Sequence, residues 1–274
     1  MAYKYNEWLL VSDIDGTLNT KAMKLPENNR QAIRQFVADG GNFTLCSGRN
    51  LQSLSIHYHK LGINTPAIFL NGAGIFDFSK KEYIYLNPIT TEGERIILDI
   101  LKKYKTVQLT VYSPEKLFLA TRKCIYGRVI SMLDNLDYQL CKKVSDLPRG
   151  NWGKVSLFGT KTLIKKLQYI LGEVNSDLFE CFKTSPYTLE VVNKGVNKGN
   201  AVIKLAEFLS VNKSNTAAIG DYYNDVDMLK RVEHPVCCGQ APEDIKAISE
   251  YVACHCNDGA VADFINYIES NYIK

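Results

Sequence analysis

Apolar and polar positions along this chain follow a rhythm that changes twice. Trp8 to Val11 is an unbroken apolar run, which predicts a strand covered on both faces, as in a parallel sheet. Leu25-Pro26-Glu27 then opens a helix, since proline and an acid suit a first turn. Ala32, Ile33, Phe36 and Val37 share one face of it, and Gly40-Gly41 stops it. Asn42 to Cys46 predicts a second buried strand, ending in Ser47-Gly48-Arg49. A helix through Leu51, Leu54 and Leu61 closes at Gly62, and Ala67 to Leu70 predicts a third strand ending in Asn71-Gly72-Ala73. Strands alternating with helices across short loops predict an α/β fold with a right-handed parallel sheet.

Near Leu86 the rhythm changes. Helices are expected from Thr91 to Tyr104, Cys124 to Asp134 and Thr162 to Leu171, with strands over Val107–Tyr112, Lys116–Ala120, Lys154–Phe158 and Tyr187–Val192. Strand pairs joined by Ser113-Pro114-Glu115 or Ser185-Pro186 read as antiparallel hairpins. Residues 86–192 therefore read as an α+β domain of ordinary size, inserted between 1–85 and 193–274. The α/β rhythm then resumes. Asn197-Lys198-Gly199 opens a helix, and Thr216 to Ile219 is a short strand ending in Gly220-Asp221-Tyr222-Tyr223-Asn224-Asp225, with a helix after it. A strand over Pro235–Cys238, a helix over Pro242–Ser249, a strand over Tyr251–Ala253 and a closing helix from Gly259-Ala260-Val261 complete the chain.

Composition narrows the classes. With 274 residues, 46% hydrophobic and 23% charged, the chain has the make-up of an ordinary globular protein. A net charge of +4 with no block of like charge offers no nucleic-acid arm. No apolar stretch reaches the roughly 18–20 residues of a spanning helix. Met1-Ala2-Tyr3-Lys4-Tyr5-Asn6-Glu7 lacks the apolar middle of a signal peptide, so a cytoplasmic protein is expected. The eight cysteines, several in apolar runs, read as reduced buried thiols. Cys254-His255-Cys256 has no second pair at zinc-finger spacing.

The chemistry gathers where strands end. Alternation sends Asp13 and Asp15 to one side, and Gly16 turns the chain away. Ligands of open parallel sheets bind beyond the carboxyl ends of strands. Two acids there repel unless a cation joins them or one stays protonated. Taken singly, each feature has a plainer account. Asp-Gly is a common turn, Ser47, Asp221 and Asp225 could cap helices, and Lys198 could be a surface lysine. A cation in a first helical turn, however, is disfavoured by the helix dipole and calls for a local partner.

Four signals fall in order: Asp13-Ile14-Asp15-Gly16-Thr17, Ser47 after the second strand, Lys198 at a helix start, and Gly220-Asp221-Tyr222-Tyr223-Asn224-Asp225. This pattern resembles the haloacid dehalogenase superfamily of aspartate-nucleophile phosphotransferases, and within it the Cof-type sugar-phosphate phosphatases. The phrases NGA, GVNKGNA, GDYYNDVDML and APEDIKAISEYV match in order, so the resemblance covers essentially the whole chain. It implies a Rossmann-like parallel core carrying the inserted α+β cap, which would close over the site and choose the substrate.

The resemblance also implies roles. Mg²⁺ would be held by the side chains of Asp13 and Asp221 and the backbone carbonyl of Asp15, with Asp225 supporting it. Asp13 would be the nucleophile, Asp15 the acid and then the base, and Lys198 the cation that neutralises charge. Ser47, the Gly48 amide and Asn224 would hold the phosphoryl group, and Arg49, Asn71 and Glu190 would contact substrate. Ser47 stands where threonine is frequent, with the hydroxyl kept. Tyr222-Tyr223 places bulky rings where relatives carry smaller or acidic residues, which would narrow the site. The expected partner is a small phosphorylated molecule, first a sugar phosphate, then a nucleotide-like phosphate or pyridoxal phosphate. No nucleic acid or membrane is expected. Two other readings stay open: a phosphomutase of similar fold, and a non-catalytic phosphosugar-binding regulator.

Overall fold

Leu9, Leu10, Val11 and Ser12 are fully buried and form strand β1 (Leu9–Ser12). Each such apolar side chain removed from water contributes about 1.5–3 kcal/mol, which is why this run settles in the middle of a sheet. The computed structural model describes residues 4–120, 125–133, 137–141 and 143–273. The chain divides into two compact units. One comprises residues 1–48, 55–84 and 197–274, the other residues 49–54 and 85–196.

The first unit continues through α1 (Glu27–Ala38), β2 (Asn42–Leu45), α2 (Leu51–Leu61, whose residues 51–54 group with the second unit), β3 (Ala67–Phe69), β4 (Gly74–Asp77) and β5 (Glu82–Leu86), where the chain passes into the second. The second holds α3 (Thr91–Lys103), β6 (Gln108–Tyr112), β7 (Leu117–Leu119), α4 (Ile125–Leu133), β8 (Tyr138–Leu140), β9 (Lys154–Phe158), α5 (Lys161–Gln168), β10 (Phe179–Ser185) and β11 (Thr188–Asn193). The first resumes with α6 (Lys198–Phe208), β12 (Thr216–Gly220), α7 (Val226–Leu229), β13 (His234–Cys238), α8 (Glu243–Lys246), β14 (Tyr251–Ala253) and α9 (Ala260–Tyr272).

In the first unit β14-β13-β12-β1-β2 form one sheet, parallel throughout. The register decides where the chemistry falls. Ser12 lies opposite Ile219 on one side and Leu45 on the other. The chain ends beyond these positions carry Asp221, Asp13 and Ser47 along one sheet edge. An isolated bridge from Cys46 to Ile68 extends that edge towards Asn71. β3, β4 and β5 make a separate small sheet; β4 and β5 have no counterpart among the sequence expectations. Their turn is tied by Asp77, which accepts from the Ser79 and Lys80 amides.

Two packing details bear on the site. Asn29, on the apolar face of α1, is fully buried because both ends of its amide are used: Nδ2 donates to the Leu18 carbonyl at 2.9 Å and Oδ1 accepts from the Ala262 amide at 2.8 Å. Leu70, Asn71 and Gly72 all have left-handed backbones, with φ of 50°, 59° and 96°. A leucine there is strained. Gly72 is obligatory for a second reason, since a Cβ would collide with the Asn197 carbonyl at the start of α6.

In the second unit the sheet order is β10-β11-β9-β6-β7-β8, antiparallel except for the parallel β7–β8 pair. Leu109, Val111, Val155, Leu157, Leu189 and Val191 alternate into its core around Trp152. Between them, Lys154 is buried with Nζ 2.7 Å from Glu190 Oε1 and 4.5 Å from the Tyr112 ring centroid. β8 had no counterpart in the sequence reading. Cys124 and Asp134, the ends of one expected helix, lie outside the described residues, as do Met1 to Tyr3. The helices expected after Asp225 and over Pro242–Ser249 are single turns, α7 and α8, because each is followed within a few residues by a strand. The described cysteines are free thiols, and no described helix is long and apolar enough to cross a membrane.

Candidate active site

The cluster begins at Asp13, which follows β1 directly and whose amide donates to the Ile219 carbonyl at 3.1 Å. Lys198 is the first residue of α6, whose N-cap Asn197 accepts from the Asn200 amide at 2.7 Å. Its side chain is completely buried. Nζ lies 2.5 Å from Asp13 Oδ1 and 2.6 Å from Asp225 Oδ1. These two carboxylates are the local partners that a cation at a helix start requires.

Asp225 uses its other oxygen as well. Oδ2 accepts from the amides of Asp221 and Tyr222 at 2.9 and 3.1 Å, which winds the loop after β12 back towards the lysine. Asp221 receives the Thr17 hydroxyl at 3.2 Å. Carboxylate oxygens of Asp13, Asp221 and Asp225 all lie within 4.8 Å of one another. Gly16, at φ +85°, makes this possible, because a Cβ there would stand 2.5 Å from Asp221 Oδ2.

The electrostatics follow from the burial. Desolvation pushes the Asp13 carboxyl well above the usual carboxylate range; Lys198 pulls it down, while Asp225, Asp15 and Asp221 add to the rise. Burial, then Asp225, pushes Asp221 from 3.8 up to about 6. Burial alone would lower Lys198, but Asp13 and Asp225 outweigh it and hold the ammonium protonated. Three carboxylates against one ammonium leave a formal charge of −2 in a largely buried place. Two like charges at ~4 Å repel by about 4 kcal/mol at an effective dielectric of 20. Hard oxygen donors with that imbalance fit a divalent cation such as Mg²⁺, which one or two carboxylates hold together with substrate oxygens and water.

Asp15 is exposed, and its charge reaches Asp13. Ser47 is buried, its amide donating to the Ile68 carbonyl and its carbonyl accepting from the Asn71 amide. Cys46, just before it, lies near enough for the Lys198 charge to act on its thiol. Gly48 packs against Asn71, whose Oδ1 would be 2.8 Å from a Cβ at 48. Asn224 is half-buried in the 3-10 turn Tyr223–Asp225, and Tyr222 and Tyr223 are 49% and 54% exposed. Arg49 and Glu190 belong to the second unit, where Arg49 donates to the Ser53 hydroxyl at 2.6 Å and Glu190 pairs with Lys154. Thr17 stood in the first motif but was not singled out as a site residue. Its uncharged hydroxyl donates to the Asp221 carboxylate.

A family model of the haloacid dehalogenase-like hydrolases matches residues 10–265, nearly the whole chain. The chain belongs to this family. The resemblance read from the four motifs is therefore borne out. Among relatives of these hydrolases, a phosphatase of Bacillus subtilis is 24% identical over 290 residues, covering 95% of this chain and 99% of that one. A haloacid dehalogenase-like hydrolase from Bacteroides thetaiotaomicron superposes with a TM-score of 0.88 at 22% identity, covering 95% of this chain and 99% of that one. A structure described as a subclass IIB sugar phosphatase of the superfamily superposes with a TM-score of 0.82 at 20% identity, covering 95% and 98%. These likenesses establish the α/β fold with its parallel core.

Proposed function

We propose that this hydrolase is a Mg²⁺-dependent phosphatase that cleaves small phosphate monoesters, sugar phosphates first among them, through an aspartyl-phosphate. The observation that carries this reading is the buried Asp13–Lys198–Asp225 cluster beside Asp221, with its formal charge of −2. The family, its phosphatase relatives and the sugar phosphatase of like fold all support it.

Mg²⁺ held by Asp13, Asp221 and the Asp15 carbonyl would supply the charge that keeps Asp13 ionised and offsets the phosphoryl oxygens. Asp225 would not need to touch it, because both its oxygens are already engaged. An Asp13 carboxylate oxygen attacks phosphorus while the bond from phosphorus to the substrate oxygen breaks. Asp15, at the exposed lip of the site, gives its proton to the departing alkoxide. In the second half Asp15 takes a proton from water, the water oxygen bonds to phosphorus, and Asp13 leaves as a carboxylate with release of inorganic phosphate. Lys198 stays protonated throughout and holds Asp13 in one orientation. The Ser47 hydroxyl and Gly48 amide, on the same sheet edge, would receive phosphoryl oxygens, with Asn71 and Asn224 beside them. Arg49 would meet the alcohol portion of the substrate, whereas Glu190, expected to do the same, is engaged by Lys154.

The test is phosphate release from p-nitrophenyl phosphate and from a panel of sugar phosphates, with no bisphosphate added. Chelator-treated protein should be inactive and regain turnover with Mg²⁺, and Asp13→Asn should lose at least about 10³-fold in kcat. Turnover by Asp13→Asn at the wild-type rate would falsify the proposed nucleophile. A requirement for a bisphosphate, with no net phosphate released, would point to a mutase instead.

A further inference from the structure

Gln240 lies in the turn after β13 and carries no motif signal. Its half-buried side chain is nevertheless fully engaged at the site. Nε2 donates to the Gly16 carbonyl at 2.5 Å, and the amide lies close enough to the Asp221 carboxylate to pull its pKa down against the burial. Oε1 accepts from the Cys256 amide at 3.1 Å. A primary amide has two N–H groups and one carbonyl, so a single side chain serves three elements. The Cys256 N–H decides which way the amide faces, because it can only meet the oxygen.

The spacing explains why one residue suffices. Gly16 and Asp221 are so close that a methyl at 16 would overlap the Asp221 carboxylate. Gln240 therefore spans both from the far side of the turn. Cys256, itself buried, opens the 3-10 turn Cys256–Asp258, between β14 and α9. The Cys254-His255-Cys256 stretch thereby acquires a role through the Cys256 amide, which anchors Gln240. His255 Nδ1 accepts from the Asn257 amide at 3.0 Å and keeps that turn closed.

We propose that Gln240 is a positioning residue, which fixes the Asp221 carboxylate relative to the Asp15-Gly16 turn so that both loops present oxygens to one divalent cation. This inference rests on the Mg²⁺-phosphatase reading above. Removing the amide leaves Asp221 with Thr17 as its hydroxyl partner and frees the Gly16 carbonyl to turn. The loss should fall on metal affinity, because no substrate group is touched.

Gln240→Met keeps length and bulk but removes every polar contact. In calorimetric titration of the full chain with Mg²⁺, its Kd should rise about tenfold, equivalent to ~1.4 kcal/mol. The Mg²⁺ concentration for half-maximal hydrolysis of p-nitrophenyl phosphate should rise by the same factor, while KM at saturating Mg²⁺ stays within about twofold of wild type. Gln240→Asn, an amide too short for all three contacts, should weaken Mg²⁺ binding in the same direction and serves if the methionine variant does not fold. Mg²⁺ affinity unchanged in the folded variant overturns the inference, as does a raised KM with metal affinity intact. If the wild-type chain binds no Mg²⁺, the phosphatase reading falls and this one with it. Wild-type binding and turnover beside unaltered variants removes this one alone.

Discussion

Each unit buries a lysine against carboxylates, and the two arrangements differ in their arithmetic. In the second unit Lys154 pairs with Glu190 at 2.7 Å, with the Tyr112 ring over its ammonium. In the first, Lys198 bridges Asp13 and Asp225 while Asp221 stands by with its carboxyl pushed up to about 6. A lysine matched by a carboxylate adds no net charge and ties strand β9 to β11. An unbalanced cluster is costly to bury by itself, and becomes favourable when a further cation enters. The excess of negative charge is thus the feature that separates a site from a structural ion pair.

Removing the lysines one at a time breaks this contrast. Lys198→Met leaves three clustered carboxylates, two of them buried, without their lysine and should cost roughly 3–5 kcal/mol in urea unfolding without metal. Added Mg²⁺ should restore part of that, while kcat falls by at least about 10²-fold for want of the transition-state charge. Lys154→Met removes the cation from Glu190, which is partly open to water, and should cost about 1–3 kcal/mol. Mg²⁺ should restore none of it, and Lys154→Met/Glu190→Gln should recover most of the loss in a double-mutant cycle. A restoration by Mg²⁺ of equal size at both lysines would erase the distinction.

The smallest effect sharpens it through pH. Asp221 has a higher pKa folded, about 6, than its ordinary 3.8, so its ionisation works against folding. That penalty is full above pH 6 and is relieved as pH falls towards 4. Without metal, Asp221→Asn should therefore melt a few degrees above wild type at pH 7.5, by roughly 2–4 °C per kcal/mol for a chain of this size. The gap should close by about pH 4. With Mg²⁺ the wild type should gain and the variant should not. Melting curves at the two pH values, with and without Mg²⁺, check both signs.

These charges were legible because the acids sit at the ends of buried apolar runs, where a parallel sheet has to place them. Asp13, Asp221 and Ser47 follow from strand ends plus register alone. Lys198 could be read too, since its place in a first helical turn needs a partner. Gln240 and Asn29 could not: each reaches across more than 200 residues, from 240 to 16 and from 29 to 262, through a single amide, and nothing nearby in sequence marks them. Leu70 gave no warning either, because its left-handed backbone is imposed by the loop and contradicts the preference of the side chain. The helix expected over Pro242–Ser249 is only the single turn α8, since an apolar pattern does not reveal how soon the next strand must begin.

Gly72 couples two parts of this machinery. With the Asn197 carbonyl pressed against its Cα, the loop bearing Asn71 and the turn that launches Lys198 mesh like teeth of one gear. Anyone transplanting either segment into a relative would have to carry both. A side chain introduced at that point would displace Asn71 and the buried ammonium of Lys198 in the same stroke.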